Sequence, residues 1–316
     1  MRVRMAVSVL VIAAAAVAVS LMFSRPARIE AQGNADRPAR RADGKPDVSG
    51  IWQALNTANW DLQTHAARPG LAVTPGPDGD VPAAPVLMLG AIGGVPGGVG
   101  VVEGEEIPYQ PWAAARKKEN FANALVRDPE VKCFKPGVPR ANYMPYPFQI
   151  MQSTDKIMMV YEYAAASRTV HLNDAGEGLT DTWLGHNVGR WDGDTLVVDV
   201  TNQVEDTWFD RAGNFHSDAL HVVERYTPVG RERLNYEATI EDTKVFARPW
   251  KISMPLYRRT EKNARLMEYK CVEFVEELLY GYLRKGQLVK HWESDLGERG
   301  GLIAVDVTRR PSPKAR

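Results

Sequence analysis

The chain has 316 residues, of which 44% are hydrophobic and 25% are charged, and its 39 basic residues balance 39 acidic ones. Such a composition is typical of a folded globular protein and excludes an intrinsically disordered one. The balanced charge gives no electrostatic reason to bind nucleic acid or an anionic membrane surface. We therefore expect a folded protein with no nucleic-acid partner.

The N-terminus has the pattern of a secretory signal over residues 1–31. Arg2 and Arg4 precede an apolar run at 5–23, and Ala31 supplies a small residue for cleavage. The run is also near the length of a membrane span, so an uncleaved anchor is the alternative. Both interpretations place the body of the protein in the periplasm or outside the cell. No later segment of the sequence is apolar enough for stable membrane insertion after cleavage.

The rest of the chain is predicted to be one β-rich domain at 47–292. Residues 32–46 are charged and contain Pro and Gly, which predicts a disordered tether, and residues 293–316 form a C-terminal extension that is at least partly disordered. Within the domain, the Gly- and Pro-rich segment 68–104 predicts a flexible loop. It lacks the GxxxxGK[ST] and GxGxxG patterns, so it gives little support for phosphate binding.

Two helices are predicted, one on each side of a strand-rich region. PWAAARKKENFANAL at 111–125 begins with a proline in its first turn and is ended by Asp128-Pro129. FVEELLYGYLRK at 274–285 has a helical period and predicts a short C-terminal helix.

Between these helices the hydrophobic pattern alternates with period two, which predicts strands. They are placed at 149–163, 168–172, 189–200, 219–227, 233–241, 251–259 and 265–272. Turn signals interrupt or separate them, and Asp192-Gly193 is a good hairpin signal. Connections this short leave no room for crossover helices, so we expect an antiparallel sheet. The predicted fold is mainly β: an up-and-down barrel or a related sandwich, with the N-terminal helix packed on it.

The two cysteines, Cys133 and Cys271, predict a disulfide because exported chains meet an oxidising environment. Closure of such a long loop is worth roughly 4–5 kcal/mol in the chain-entropy estimate, which is an upper value. Two separate buried thiols are the alternative. A metal site is not indicated, because neither cysteine belongs to a CxxC pair.

Several blocks of the sequence carry a resemblance. PDVSGIW, GRWDGDTLVVDVTN, TWFDRAGNFHSDALHVVERY and ARPWKISMPLY resemble the signature blocks of a large family of exported bacterial proteins, usually labelled hypothetical. The resemblance runs from Pro46 to about Phe274. It implies one intact domain, and it brings no activity or substrate with it.

Candidate chemistry concentrates in the stretch 183–226, which contains His186, His216 and His221. His216 lies two residues from Asp218, and a histidine beside a carboxylate can act as a general base. Glu224 shares a strand face with apolar neighbours, as do two other glutamates, so the barrel interior is predicted to hold carboxylates. The catalytic candidates are therefore His216, Asp218 and Glu224.

Each of these signals has a structural alternative. His216-Ser217-Asp218 is also good turn chemistry. The strand glutamates are Glu162, Glu224 and Glu268, and the arginines available to pair with them across strands are Arg168, Arg190, Arg225 and Arg258. Such pairs on a solvated face would need no active interior. A serine triad is disfavoured because no GxSxG occurs.

The polar and aromatic residues near 206–225, together with two tyrosines before the first long strand, predict a ligand site with a polar group beside an apolar wall. The ligand-binding candidates are Trp208, Asp210, Arg211, His221, Arg225, Tyr143 and Tyr146. No HxH or HExxH spacing occurs, and neither a metal nor a cofactor is predicted.

The sequence therefore predicts an exported barrel that holds a small organic ligand in its interior or mouth. One alternative is an acid–base enzyme of the hydrolase, lyase or isomerase type that uses His216 with Asp218 and Glu224. The other is a noncatalytic envelope protein. The sequence does not specify the ligand or the oligomeric state.

Overall fold

The structure is a computed structural model that describes residues 38–67, 73–76, 79–82, 95–173 and 176–275. The strands in chain order are β1 (Gly50–Ala54), β2 (Val73–Gly76), β3 (Gly79–Pro82), β4 (Phe148–Gln152), β5 (Lys156–Tyr161), β6 (Ser167–His171), β7 (His186–Asp192), β8 (Thr195–Thr201), β9 (His221–Pro228), β10 (Arg233–Glu241) and β11 (Trp250–Arg258). The helices are α1 (Pro111–Ala122) and the single turn α2 (Ala124–Arg127).

Within these residues, nine strands close into a barrel in the order β1-β11-β10-β9-β8-β7-β6-β5-β4, and β2 pairs with β3 in a separate sheet. The predicted β-barrel is thus confirmed. Closure pairs β1 with both β4 and β11, so every barrel strand pairs with a strand on each side, although β6 and β7 pair over only part of their length.

The expectation of an entirely antiparallel sheet is wrong at one place. β6 and β7 run parallel and pair only at Val170↔Asn187 and His171↔Val188. A parallel pair requires the chain to return along the barrel between the two strands. The segment 172–185 makes this return without a helix among its described residues. We call the β6–β7 junction, with its short ladder, the seam.

Alternation explains which side chains enter the barrel. In β10, Leu234, Tyr236, Ala238 and Ile240 are buried, while the residues between them face outward. β10 pairs along its length with β9 and β11, in registers that bring their buried residues into the same interior. These long hairpins form the most continuous part of the wall, and their interior residues belong to one hydrophobic core.

The long connections pack at one end of the barrel. We call residues 55–67, 95–147, 203–220 and 242–249 the cap. Aromatic side chains join it to the barrel core: the Phe209 ring lies 5.6 Å from the Trp250 ring, and Phe246 lies 5.3 Å from it. The cap also contains α1, which falls within the predicted helix at 111–125.

The disulfide between Cys133 and Cys271 is present, as predicted. It fastens the cap to residues 265–272, which were predicted as a strand. That strand prediction is wrong, because these residues are irregular. The physical reason is closure: β11 already pairs with β1 on one edge and β10 on the other, which leaves no edge for a further strand.

Part of the predicted flexible loop at 68–104 is packed. Val95 and Val102 are buried, and the Glu103 amide donates to the Lys251 carbonyl of β11. In the predicted tether at 32–46, Arg40 forms an ion pair with Asp194. The predicted signal at 1–31, most of the predicted helix at 274–285 and the extension at 293–316 lie outside the described residues. Among the residues that are described, no helix has the length and apolar character to cross a membrane.

Candidate ligand-binding site

Glu224 lies inside the barrel and is surrounded by hydrogen-bond donors. Arg168 forms a two-pronged ion pair with it, with Nη1 2.6 Å from Oε2 and Nη2 3.1 Å from Oε1. Oε1 also accepts hydrogen bonds from Asn142 Nδ2 at 2.6 Å, Tyr226 OH at 2.9 Å and Tyr236 OH at 2.7 Å. The carboxylate is fully buried, so these donors replace the water that it loses on folding.

Arg168 is equally well satisfied. Its Nε donates to Tyr161 OH at 2.9 Å, Nη1 donates to Asn187 Oδ1 at 2.8 Å, and Nη2 donates to Tyr226 OH at 2.9 Å. Burial lowers the pKa of Arg168, but the Glu224 carboxylate more than offsets this and raises it well above its ordinary value. Burial also raises the pKa of Tyr161 to about 12, so its hydroxyl remains a neutral donor. No buried polar atom of this network lacks a partner.

The network also holds the seam together. Asn187, at the start of β7, accepts from Arg168 on β6 and donates through Nδ2 to the carbonyls of Leu184 and Gly185, at 2.9 and 2.8 Å. Since the backbone ladder between β6 and β7 has only two residue pairs, these side-chain bonds replace the missing ladder. They fix the end of the returning segment against the barrel wall.

A pocket of about 310 Å³ lies on this seam. It is formed by β6, by the end of the returning segment, and by one residue of the cap. The lining residues are Lys135, Ser167, Arg168, Thr169, His171, Thr182, Trp183, Leu184, Gly185, His186 and Asn187. Ser167 and Thr182 are exposed, which places the pocket at the surface, whereas Arg168 and Asn187 connect it to the buried network.

Gly185 is required by the shape of the pocket wall. Its φ is +70°, and an added Cβ would lie 2.6 Å from the Thr201 carbonyl oxygen. Any other residue would therefore be strained and would push the returning segment away from β8. The wall is consequently held in one place by its backbone as well as by Asn187.

The pocket is basic. Lys135, Arg168, His171 and His186 line it, and none of the described lining residues is acidic. Arg168 is neutralised by Glu224. Within the part of the chain that the structure describes, Lys135 is half-buried and has no ion-pair or hydrogen-bond partner. The rings of His171 and His186 stack with their centroids 6.3 Å apart.

A second buried ionic cluster lies in the cap and has a different composition. Arg140 pairs with Asp128 at 3.1 Å and with Glu130 at 2.7 Å, and Arg211 pairs with Glu130 at 2.7 Å. Burial would raise the pKa of Glu130, but Arg211 and Arg140 lower it to about 2. Asn59 also accepts a hydrogen bond from Arg140 Nε at 2.8 Å, so the cluster joins three parts of the cap and contributes to its stability at neutral pH.

The three catalytic candidates lie in three different places. His216 is buried in the cap; its Nδ1–H donates to the Ser217 carbonyl at 2.9 Å, and its Nε2 lies 2.7 Å from Thr207 Oγ1. Burial lowers its pKa. Asp218 is exposed and pairs with Lys244 at 2.6 Å. Glu224 is in the barrel network, so the structure does not bring the three together as an acid–base set.

Most ligand-binding candidates are part of the cap. Tyr143 is buried and donates to the Phe209 carbonyl at 2.9 Å, and Trp208 is also buried. Tyr146 packs against Tyr163 and Tyr269. Arg211 pairs with Glu130, as described above.

Asp210 accepts hydrogen bonds from the amides of Leu62 and Ala212 and from both the amide and the side chain of Asn214. Burial, with Asp61 nearby, raises its pKa to about 7, although these donors favour the ionised form. Asp210 therefore organises the backbone of the cap.

The remaining two candidates face outward on β9. His221 Nε2 lies 3.1 Å from Asp199 Oδ1, and Arg225 pairs with Asp192 at 2.9 Å. Both contacts join strands on the outer face of the barrel, but neither is one of the Glu–Arg pairs that the structural alternative predicts. Of the other strand glutamates, Glu268 is exposed near Lys270, and Glu162 accepts from the Met267 amide.

None of the catalytic or ligand-binding candidates predicted from the sequence lines the seam pocket. One of them, Glu224, contacts the lining residue Arg168. Lys135, Thr169 and His171 were not singled out as ligand residues, and Trp183 was considered only as one of several aromatic residues that could line a pocket or belong to the core. His186 was noted only as part of a histidine-rich stretch. No local pattern links these positions, because the pocket depends on a parallel strand pair that the sequence did not indicate.

Comparison of the chain with protein-family models, with curated proteins and with solved structures gives no match. The geometry of the site is therefore the basis for the function proposed below.

Proposed function

We propose that the protein is an exported small-molecule-binding β-barrel whose ligand site is the seam pocket. The observation that carries the proposal is a pocket of about 310 Å³ whose wall contains Lys135, a half-buried lysine with no ion-pair or hydrogen-bond partner among the described residues. Pockets of 300–1,000 Å³ with a few converging polar groups are typical of small-molecule sites. A buried network beneath the pocket holds its wall in place.

Export is part of the same proposal. The N-terminal signal pattern and the family resemblance of the sequence blocks support it, and the disulfide is compatible with an oxidising compartment.

The site proposed here is in the barrel wall, not deep in the interior. The described interior contains the packed core and the Arg168–Glu224 network, in which the polar groups are already paired. A ligand in that space would have to displace these contacts. The seam offers space and an unpaired charge without such a cost.

A binding screen with a blocked pocket tests the proposal. Small polar compounds would be screened by ligand-observed NMR against the wild type, Ser167→Trp and Thr239→Trp. Ser167 is exposed at the pocket rim, whereas Thr239 is on the outer face of β10 and provides the matched control. We expect compounds that bind the wild type and Thr239→Trp but lose binding to Ser167→Trp.

Other outcomes favour the alternatives. Compounds that bind equally well to Ser167→Trp would place the site elsewhere. A screen without any binding compound would favour a noncatalytic envelope protein. Turnover of a bound compound would favour an enzyme, and the reaction would then be traced to groups at the pocket.

A further inference from the structure

The charges at the seam pocket define the class of ligand that it accepts. We propose that the pocket binds a small organic anion with a planar body, whose acid group is held by Lys135 and whose body packs on Trp183. This inference depends on the proposed function, because it assumes that the seam pocket is the ligand site.

The positive charges of the pocket lining come from Arg168 and Lys135. Arg168 shares its charge with Glu224, so Lys135 is the lining cation without an ion-pair partner among the described residues. His171 and His186 add ring nitrogens to the lining, and His186 Nε2 lies 3.1 Å from the Gly176 carbonyl oxygen. The pKa of the Asp155 carboxyl is lowered, mainly by its hydrogen bond from Ser153 and least by His171, and Asp155 does not line the pocket. An ammonium group on a pocket wall, without a partner among the described residues, favours a ligand that brings a negative charge.

The pocket lining also supplies neutral donors. Ser167, Thr169 and Thr182 place hydroxyl groups on the lining. β6 pairs with β7 only at its last two residues, so Ser167 and Thr169 border the pocket on an edge without a neighbouring strand. Hydroxyl groups around a single cation are suited to the several oxygens of a carboxylate or phosphoryl group.

The pocket also has an apolar wall. Trp183 lines the pocket and is half-buried, and the Phe134 ring packs against it at a tilted angle with the centroids 4.9 Å apart. A partly exposed indole in a pocket wall offers apolar surface to a ligand. The volume is at the small end of the usual range, which favours one ring with an acid group over a lipid or a peptide.

The segment that carries Lys135 is fixed on both sides. On one side Cys133 is fixed by the disulfide. On the other side Val138 exchanges two hydrogen bonds with the Gln203 side chain, at 2.6 and 3.0 Å. A lysine fixed from both sides loses less conformational freedom when a ligand binds.

The test compares four probes of similar shape: benzoate, phenyl phosphate, benzamide and benzylammonium. Affinities would be measured by NMR titration for the wild type, Lys135→Gln and Lys118→Gln. Lys118 is an exposed lysine of α1 and controls for the general loss of one positive charge. Acetate, titrated into the wild type and Trp183→Leu, measures what the planar body contributes.

We expect benzoate or phenyl phosphate to bind at least about tenfold more tightly than the neutral and cationic probes, since only the anions form a charge-assisted hydrogen bond with Lys135. The tighter of the two identifies the acid group. Lys135→Gln should weaken this anion about tenfold or more, and Lys118→Gln should leave it unchanged. Trp183→Leu should weaken benzoate more than acetate.

Benzamide binding as tightly as benzoate, with both lost in Ser167→Trp, would overturn the anion proposal and leave the ligand site intact. The same conclusion follows if the screen finds pocket ligands but none of the anions binds. If neither the anions nor any screened compound binds, the proposed function fails as well.

Discussion

The barrel interior and the seam pocket share Arg168 and Asn187, but their polar groups are in opposite states. In the interior, the Glu224 carboxylate accepts five hydrogen bonds, and no buried polar atom of its network lacks a partner. At the seam, Lys135 is half-buried and has no partner in the described part of the chain. The polar groups of the Glu224 network are therefore already paired, whereas the Lys135 ammonium group is available to bind a ligand.

This difference separates structural from functional charge. A buried ion pair with all its bonds made is a poor binding site, because a ligand would have to break those bonds. It is a good support, because it holds β6 and β7 where the backbone ladder is short. Substitutions inside the barrel should therefore affect stability, and substitutions at the pocket should affect binding.

The largest effect is expected for Glu224→Gln. The change keeps the side-chain volume but leaves Arg168 as an unpaired buried charge, which costs about 3–5 kcal/mol. Urea unfolding of this variant would be compared with Glu237→Gln, a solvent-facing change on β10. If Glu224→Gln lowers the free energy of unfolding by less than Glu237→Gln does, the interior network does not support the barrel.

The acid limb of the stability curve should depend on Glu130. Its pKa is depressed from its ordinary value of 4.5 to about 2, so its contribution is present above pH 4.5 and is lost as the pH falls through 2. The size is on the order of 3 kcal/mol. Unfolding free energies between pH 5 and 2 should fall less steeply for Glu130→Gln than for the wild type. Parallel curves would contradict the assignment.

His216→Ala should destabilise the protein by about 2 kcal/mol, because it removes a buried ring and leaves Thr207 and the Ser217 carbonyl without their partner. His221→Ala, on the outer face of β9, is the matched control and should change stability by less than about 0.5 kcal/mol. An unchanged unfolding transition for His216→Ala, together with lost turnover of a substrate, would restore His216 as a catalytic base.

The smallest effect on stability is expected for Lys135→Gln. Lys135 has no partner to lose among the described residues. The unfolding free energy of the variant should therefore remain within about 0.5 kcal/mol of the wild type. A loss above about 1 kcal/mol would mean that Lys135 supports the fold and is not reserved for a ligand.

The parts of the fold that the sequence predicted are those set by local patterns. β10 was predicted with its observed ends, because its alternation is strict and turn residues flank it. The disulfide followed from the compartment and the cysteine count. The predicted strand at 265–272 also alternates, but closure of the barrel leaves it no partner. Alternation is thus not sufficient where every edge is already taken.

The candidate site was harder to predict because it depends on contacts between distant segments. The sequence left open whether Glu224 faces inward or lies on a solvated face, and it named Arg168 as one possible partner, but local pattern could not pair them. The charges at 206–225 are divided between the cap, the outer wall and, for Glu224, the barrel interior. The pocket joins Lys135 to β6 and to the returning segment, and only the parallel seam brings these together.

The most direct test of the central claim is a two-dimensional ¹H–¹⁵N NMR titration of the wild type with benzoate, following the tryptophan indole signals. Trp183 lines the seam pocket, whereas Trp52 is buried in the barrel core and serves as the internal reference. Trp183→Phe and Trp52→Phe assign the two signals. We predict that the Trp183 signal shifts with saturation while that of Trp52 stays in place. A saturating shift of Trp52 without one of Trp183 would contradict the account and place the ligand inside the barrel.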